Sequence, residues 1–141
     1  MSRKATILCI DDHWNSLIGS KMLLEQNGYR VLEATNGREG LQLFLSQAVD
    51  AVVLDYSMPG MSGGVVAAKM KHINSQVPIL LLSAYGAIPP ATMESVDSFL
   101  AKAQPPNLLL STLQQLLDHP SRPFFRRWLD SWRIRNQGAR P

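Results

Sequence analysis

The sequence predicts one α/β domain in which helices cover both faces of a five-stranded parallel sheet, a doubly wound arrangement. Short apolar runs alternate with segments of helical spacing, and short links join them. The central apolar runs are continuous rather than alternating, which is typical of parallel strands buried on both faces. A length of 141 residues has room for one such domain.

Five runs are predicted to form the strands. In chain order they are Thr6–Ile10, Tyr29–Ala34, Ala51–Leu54, Pro78–Leu82 and Ser98–Ala101, and the second is the weakest signal. Because strands and helices alternate strictly, the crossovers between parallel strands are expected to be right-handed.

Helices are predicted between the strands and after the last one. They cover Trp14–Asn27, Gly37–Ser46, a segment from Ser62 to about Ile73, a short turn near Ala91–Ser95, and Asn107–Leu117. Asn36 and Ser62 are suitable caps for the second and third helices. The fourth helix is expected to be short, because a helix can start at Pro90 but cannot cross it.

The spacing of apolar residues predicts which side of each long helix faces the sheet. The inward residues are expected to be Leu17, Ile18, Met22, Leu23 and Leu24 in the first helix, Leu41, Phe44 and Leu45 in the second, and Leu109, Leu110, Leu113, Leu116 and Leu117 in the last.

Composition excludes several classes of protein. Cys9 is the single cysteine, so neither an internal disulfide nor a thiol zinc cluster can form. No apolar run reaches the roughly 18 residues of a membrane span, and no signal-peptide pattern opens the chain. A cytoplasmic protein is therefore expected.

Polar residues follow four of the predicted strands at the end where ligands bind in doubly wound sheets. Asp11 and Asp12 follow the first strand, Asp55 the third, Ser83 the fourth and Lys102 the fifth. Any one of them alone is more often a turn or cap residue. Their coincidence at one edge of the sheet indicates a functional site.

These residue types suit a metal ion and a phosphoryl group. Three neighbouring carboxylates repel one another, and Mg²⁺, which prefers oxygen ligands, relieves the repulsion. Lys102 and Ser83 can bind phosphate oxygens. A carboxylate such as Asp55 can itself be a nucleophile and form an aspartyl phosphate.

The motifs around these residues resemble the receiver domain of two-component response regulators over roughly residues 4–119. The matching stretches are Ile10-Asp11-Asp12, the run from Leu54 to Gly63 (Leu-Asp-Tyr-Ser-Met-Pro-Gly-Met-Ser-Gly), Leu82-Ser83-Ala84 and Phe99-Leu100-Ala101-Lys102. The resemblance implies the flavodoxin-like strand order 2-1-3-4-5.

The resemblance also implies roles for the site residues. Asp55 would accept a phosphoryl group from a phosphohistidine on a histidine kinase or phosphotransfer protein. Asp12 and Asp55 would bind Mg²⁺ through their side chains, Ser57 through its backbone carbonyl, and Asp11 largely through metal-bound water.

A switch is implied as well. Lys102 would contact the phosphoryl oxygens, Ser83 would move toward them, and Phe99 would turn inward into the space released. The phosphoryl group would thereby shift the population between two conformers. Catalysis would extend at most to the protein's own phosphorylation and dephosphorylation, so an enzyme acting on other molecules is not expected.

Three features depart from the family pattern. Ala103 follows Lys102 where the family has proline, often with a cis bond, so here the bond is either trans or strained. The segment from Ser83 to Lys102 is about one helical turn short. His13 follows the acidic pair, either as an exposed residue at the start of a helix or as a pH-sensitive neighbour of the metal.

Two other functions compete with a phosphorylated switch. A degenerate receiver would act as a phosphorylation-independent interaction module, and the missing proline at Ala103 is the feature that favours it. A phosphohydrolase of the haloacid-dehalogenase type would need a second aspartate two residues after Asp55, where Ser57 stands.

The receiver domain is expected to cover residues 1–120, followed by a basic tail over residues 121–141. The tail has six arginines and one acid, and as a helix over 123–135 it would gather Phe124, Phe125, Trp128, Leu129 and Trp132 on one side.

The tail could dock on the body or on a second copy in a homodimer, bind a protein partner, or lie on a membrane surface. It is too short for a DNA-binding module, so a stand-alone regulator that binds no nucleic acid is expected.

Overall fold

The computed structural model describes residues 3–84 and 88–118. Five strands form one all-parallel sheet in the order β2-β1-β3-β4-β5. Their bounds are Thr6–Ile10 (β1), Arg30–Ala34 (β2), Ala51–Asp55 (β3), Ile79–Ser83 (β4) and Ser98–Ala101 (β5). The predicted fold and strand order are confirmed.

In the described part of the chain, five helices follow the strands in turn. They cover Trp14–Gln26 (α1), Gly37–Ser46 (α2), Gly63–Ile73 (α3), Pro90–Glu94 (α4) and Pro106–Asp118 (α5). The side chains of Asn36 and Ser62 accept hydrogen bonds from the backbone N–H groups of Glu39 and Val65, so both predicted caps are confirmed. The fourth helix is a short one of five residues, as expected.

Two apolar cores lie on opposite faces of the sheet, because successive strand residues point to opposite sides. On one face Leu8, Ile10, Val52 and Leu54 pack with residues of α2 and α3, including Phe44, Val66, Ala67 and Met70. On the other face Ile7, Cys9, Ala51 and Val53 pack with Leu17 and Leu24 of α1 and Leu113 of α5. Burial raises the pKa of the Cys9 thiol to about 12, which makes it unreactive.

Two predicted inward residues are in fact exposed. Met22 in α1 has 55% of its surface accessible, and Leu45 in α2 has 67%. Each lies at the margin of its helical stripe, where the sheet no longer reaches it. Leu17 and Leu24 of α1 and Phe44 of α2 are buried as predicted.

The basic tail lies outside the described residues, and so does the predicted boundary after residue 120. Both stay predictions. Within residues 3–84 and 88–118, none of the helices combines the length and apolar character needed to cross a bilayer.

Asp97 fixes the beginnings of the last two strands relative to each other. Its buried carboxylate accepts hydrogen bonds from the backbone N–H of Ile79 at 2.7 Å and from the Lys71 ammonium at 2.6 Å. Its own backbone N–H donates to the Ile79 carbonyl at 2.8 Å. The register set here determines which residues of β4 and β5 meet at the opposite edge.

We expect Asp97→Ala to lower the free energy of unfolding by about 3 kcal/mol, because it leaves the Ile79 N–H without its acceptor and removes the carboxylate that neutralises the Lys71 ammonium. Urea unfolding followed by circular dichroism measures the change. The matched control is Asp118→Ala at the exposed end of α5, which should change stability by less than about 0.5 kcal/mol. Equal effects of the two substitutions would contradict the assignment.

Candidate functional site

The carboxyl ends of four strands meet at one edge of the sheet. Ile10 pairs with Leu54 across β1 and β3, which brings Asp11 beside Asp55. Ser83 pairs with Ala101 across β4 and β5, and the backbone N–H of Lys102 donates to the Ser83 carbonyl at 2.9 Å. Residues far apart in the sequence therefore share one site.

The Lys102 ammonium lies between two carboxylates. Its Nζ atom is 3.0 Å from Asp11 Oδ2 and 3.3 Å from Asp55 Oδ2. This contact forms without the proline that the family usually has after the lysine, and the described residues contain no cis peptide bond. The bond between Lys102 and Ala103 is therefore trans, and the lysine still reaches the site.

The segment after β1 adds further donors to this edge. Asp11 Oδ1 accepts a hydrogen bond from the His13 backbone N–H at 2.9 Å. One donor atom from each of Asp11, Asp12, His13 and Asp55 lies within 4.8 Å of the others. Among the described residues these four side chains form a group able to hold a metal ion.

Two oxygen atoms of this group fit a cation in particular. Asp12 Oδ1 and Asp55 Oδ2 are buried and accept no hydrogen bond from the described residues. A buried carboxylate oxygen with no hydrogen bond is costly unless a cation neutralises it. The nearest positive or ring groups to these oxygens are the Lys102 ammonium, 3.3 Å from Asp55 Oδ2, and the His13 ring, 3.2 Å from Asp12 Oδ1. The donor set thus suits a divalent cation bound by Asp12 and Asp55.

Ser57 lies in the loop between β3 and α3, two residues after Asp55. Close packing shapes this loop, because a Cβ atom at Gly63 would collide with the backbone carbonyl of Asp55. The Gly63 backbone N–H donates to the Tyr56 carbonyl at 2.8 Å, which closes the turn. Gly60 has φ +80°, a conformation that favours glycine. The role of the Ser57 carbonyl as a metal ligand stays a prediction.

The two implied switch residues differ in their surroundings. Ser83 is the last residue of β4 and is buried at the site. Phe99 in β5 has 40% of its surface exposed, so its side chain is accessible to solvent in this structure. Its inward movement stays a prediction.

Burial and charge shift the proton affinity of the central carboxylate. Burial, together with the negative charge of Asp11, raises the pKa of Asp55 to about 6, although the nearby Lys102 ammonium acts in the opposite direction. Burial alone lowers the pKa of Lys102, but Asp11 and Asp55 together outweigh it, and the pKa of Lys102 is raised. The lysine is therefore charged at neutral pH.

Comparison with known proteins identifies the family. The sequence profile described as "Response regulator receiver domain" matches residues 7–114. This chain belongs to the receiver-domain family.

Similar proteins include a transcriptional regulatory protein and a phosphotransferase. The receiver is 31% identical over 135 residues to the transcriptional regulatory protein GlrR of Escherichia coli, covering 93% of this chain and 30% of GlrR. It is 30% identical over 82 residues to the sporulation initiation phosphotransferase F of Bacillus subtilis, covering 58% of this chain and 66% of that protein. The chain thus spans less than a third of GlrR.

Solved structures share the same fold. A CheY-like receiver domain protein from Methanospirillum hungatei superposes with a TM-score of 0.81 at 23% identity, over 84% of this chain and 97% of that one. The response regulator TrrA of Thermotoga maritima, in complex with Mg(2+)-BeF, has a TM-score of 0.76 at 32% identity, over 79% of this chain and 98% of that one.

Sequence reasoning missed the close approach of Gly63 to Asp55, for which the signal is the pair of glycines directly after the Ser62 cap. For His13 the sequence left two interpretations open, an exposed residue at a helix start or a neighbour of the metal. The side chain is indeed exposed, at 66%, and its Nδ1 atom nevertheless lies 3.2 Å from Asp12 Oδ1.

We expect Asp55→Asn to stabilise the metal-free receiver at pH 7.5 by on the order of 2 kcal/mol. The folded state binds a proton at Asp55 more tightly than the unfolded state does, since the pKa rises from 3.8 to about 6. The contribution of Asp55 to stability is therefore complete below about pH 4 and is lost as the pH rises through about 6.

Urea unfolding of both proteins in a chelator, from about pH 4 to 7.5, tests this dependence. The difference in unfolding free energy between the variant and the wild type should grow with pH across that window. A difference that is constant or that shrinks with rising pH would contradict the raised pKa of Asp55.

Proposed function

We propose that this receiver accepts a phosphoryl group on Asp55, with Mg²⁺ bound by Asp12, Asp55 and the Ser57 carbonyl, and thereby switches its contacts with other proteins. The observation that carries the proposal is the buried Asp55 carboxylate, whose Oδ2 atom lies 3.3 Å from the Lys102 ammonium. A nucleophile and a positive charge for the incoming phosphoryl oxygens therefore lie together.

The chemistry follows from these groups. An Asp55 carboxylate oxygen attacks the phosphorus of a phosphohistidine, the phosphorus–nitrogen bond breaks, and its electron pair returns to the imidazole nitrogen. The product on Asp55 is a mixed anhydride of a carboxylate and phosphate. Lys102 neutralises oxygens of the transferred group. A bound Mg²⁺ would supply further charge neutralisation at the same oxygens.

Ionisation of Asp55 agrees with this role at neutral pH. A pKa of about 6 leaves the carboxylate mostly charged near pH 7, and thus able to act as a nucleophile. Asp11 supports the site indirectly, because its oxygens hold the His13 N–H and the Lys102 ammonium. We infer that Asp11 positions the lysine and reaches the metal through water.

The switch uses the residues next to the phosphoryl group. The added negative charge and acceptor oxygens favour a conformer in which the Ser83 hydroxyl and Lys102 close on them. Movement of Ser83 would open space that the exposed Phe99 ring fills. The accessible surface around β5 would change in consequence, and a downstream protein could distinguish the two states.

We propose that the partner that supplies the phosphoryl group is a histidine kinase or a phosphotransfer protein, and that the receiver acts in the cytoplasm. The family membership supports this choice. A stand-alone mode of action, homodimer formation and membrane binding through the tail stay predictions, as does the expectation that the protein binds no nucleic acid.

A degenerate receiver is less well supported by the geometry. The feature that favoured it was Ala103 in place of the family's proline, yet the trans bond at this position leaves Lys102 in contact with both Asp11 and Asp55. The phosphohydrolase alternative needs a second carboxylate two residues after Asp55, and Ser57 stands there.

Incubation with Mg²⁺ and a small acyl phosphate tests the proposal. We expect the intact protein to gain the mass of one phosphoryl group, and peptide analysis after borohydride reduction to locate it at Asp55. The gain should disappear in Asp55→Asn and when a chelator removes Mg²⁺, and Lys102→Ala should reduce it at least tenfold.

Asp118→Asn is the matched control, because it removes an exposed carboxylate far from the site and should label like the wild type. Absence of any mass gain in the wild type, with Mg²⁺ and a fresh donor, would favour the degenerate receiver. Full labelling of Asp55→Asn would contradict the assignment of Asp55.

A further inference from the structure

The His13 imidazole lies against the acidic group in an arrangement that hydrogen bonding does not explain. Its Nδ1 atom is 3.2 Å from Asp12 Oδ1 and 3.4 Å from Asp11 Oδ1. Asp12 Oδ1 nevertheless accepts no hydrogen bond. The ring nitrogen is thus close to the carboxylates without forming a hydrogen bond to Asp12.

These separations are those of neighbouring ligands around one metal ion. Two donors that each lie about 2.1 Å from an octahedral ion are about 3.0 Å apart when adjacent and about 4.2 Å apart when opposite. The Nδ1 atom is 3.2 Å from Asp12 Oδ1, and the whole donor group spans no more than 4.8 Å. Small side-chain movements would bring Nδ1, Asp12 and Asp55 onto a common ion.

A second observation supports a cation at this position independently of the ring. Asp55 has only 2% of its surface accessible, and its Oδ2 atom accepts no hydrogen bond although the Lys102 ammonium lies 3.3 Å away. This buried oxygen belongs to the same group of donors as His13 Nδ1.

The backbone holds His13 in place before any ion binds. Its N–H donates to Asp11 Oδ1, and its extended conformation, with φ −91° and ψ 108°, precedes the first turn of α1. The ring therefore needs no rearrangement of the main chain to stay near Asp12. Its exposure leaves open positions around an ion to water.

We propose that His13 is a nitrogen ligand, so that this site binds first-row transition-metal ions such as Zn²⁺ more tightly than Mg²⁺. Imidazole nitrogen suits zinc, nickel and copper, whereas magnesium prefers oxygen donors. The inference rests on the metal site of the proposed function and extends it. A transition-metal ion at this position would compete with Mg²⁺ for Asp12 and Asp55.

Calorimetric titration of the full chain with Zn²⁺ and, separately, with Mg²⁺ tests the proposal. We expect His13→Ala to weaken Zn²⁺ binding at least tenfold and to change Mg²⁺ binding by less than about threefold. Nitrogen NMR of histidine-labelled protein should show a zinc-induced shift at His13 Nδ1. His72→Ala, an exposed histidine in α3, is the matched control and should bind both ions like the wild type.

Each result distinguishes this inference from the function on which it rests. Equal Zn²⁺ affinity of His13→Ala and the wild type, together with Asp12-dependent Mg²⁺ binding, would overturn the role of His13 and leave the proposed function intact. If Asp12→Asn changes binding of neither ion, the metal site itself is wrong. A zinc-induced shift at His72 rather than His13 would assign zinc to a different site and contradict the inference.

Discussion

The repulsion among carboxylates at one edge of the sheet is the constraint on which the functional part of this structure depends. Asp11, Asp12 and Asp55 lie close together, and Asp55 is buried. Such an arrangement costs free energy unless positive charge compensates it. Lys102, which directly follows the last strand, supplies part of that charge. A bound cation next to Asp12 and Asp55 would supply the rest.

The strand order makes this concentration of charge possible. β1 and β3 are neighbours near the middle of the sheet, so their carboxyl ends bring Asp11 and Asp55 together. Apolar cores on both faces hold the strands in register, and Asp97 fixes β4 to β5 at the opposite edge. The interactions that stabilise the fold thus lie away from the site, where the charged form of Asp55 opposes folding at neutral pH.

Most of the fold could be predicted from the sequence, because parallel strands and amphipathic helices leave strong local patterns. Continuous apolar runs located the strands, and Asn36 and Ser62 marked helix starts that their cap hydrogen bonds confirm. The exposure of Met22 and Leu45 was missed, since helical spacing alone does not say how wide a strip the sheet covers. That depends on tertiary contacts.

The candidate site, too, could be predicted from the sequence only in part. The predicted strand ends indicate Asp11, Asp12, Asp55, Ser83 and Lys102, because the topology of a parallel sheet brings those ends together. Whether Lys102 reaches Asp55 without a following proline depended on the path of one loop, which no local pattern specifies. The position of the His13 ring depended likewise on a hydrogen bond between its backbone and Asp11.

The central claim is that Asp55 and Lys102 form a single phosphoryl-binding site that a divalent cation completes. A crystal structure of the protein with Mg²⁺ and beryllofluoride, a mimic of the phosphoryl group, tests it most directly. The account predicts beryllium bonded to Asp55, fluorine atoms in contact with the Lys102 ammonium and the Ser83 hydroxyl, and Mg²⁺ against Asp12. A structure with Lys102 directed away from the mimic, or with Asp55 unmodified at saturating beryllofluoride, would contradict it.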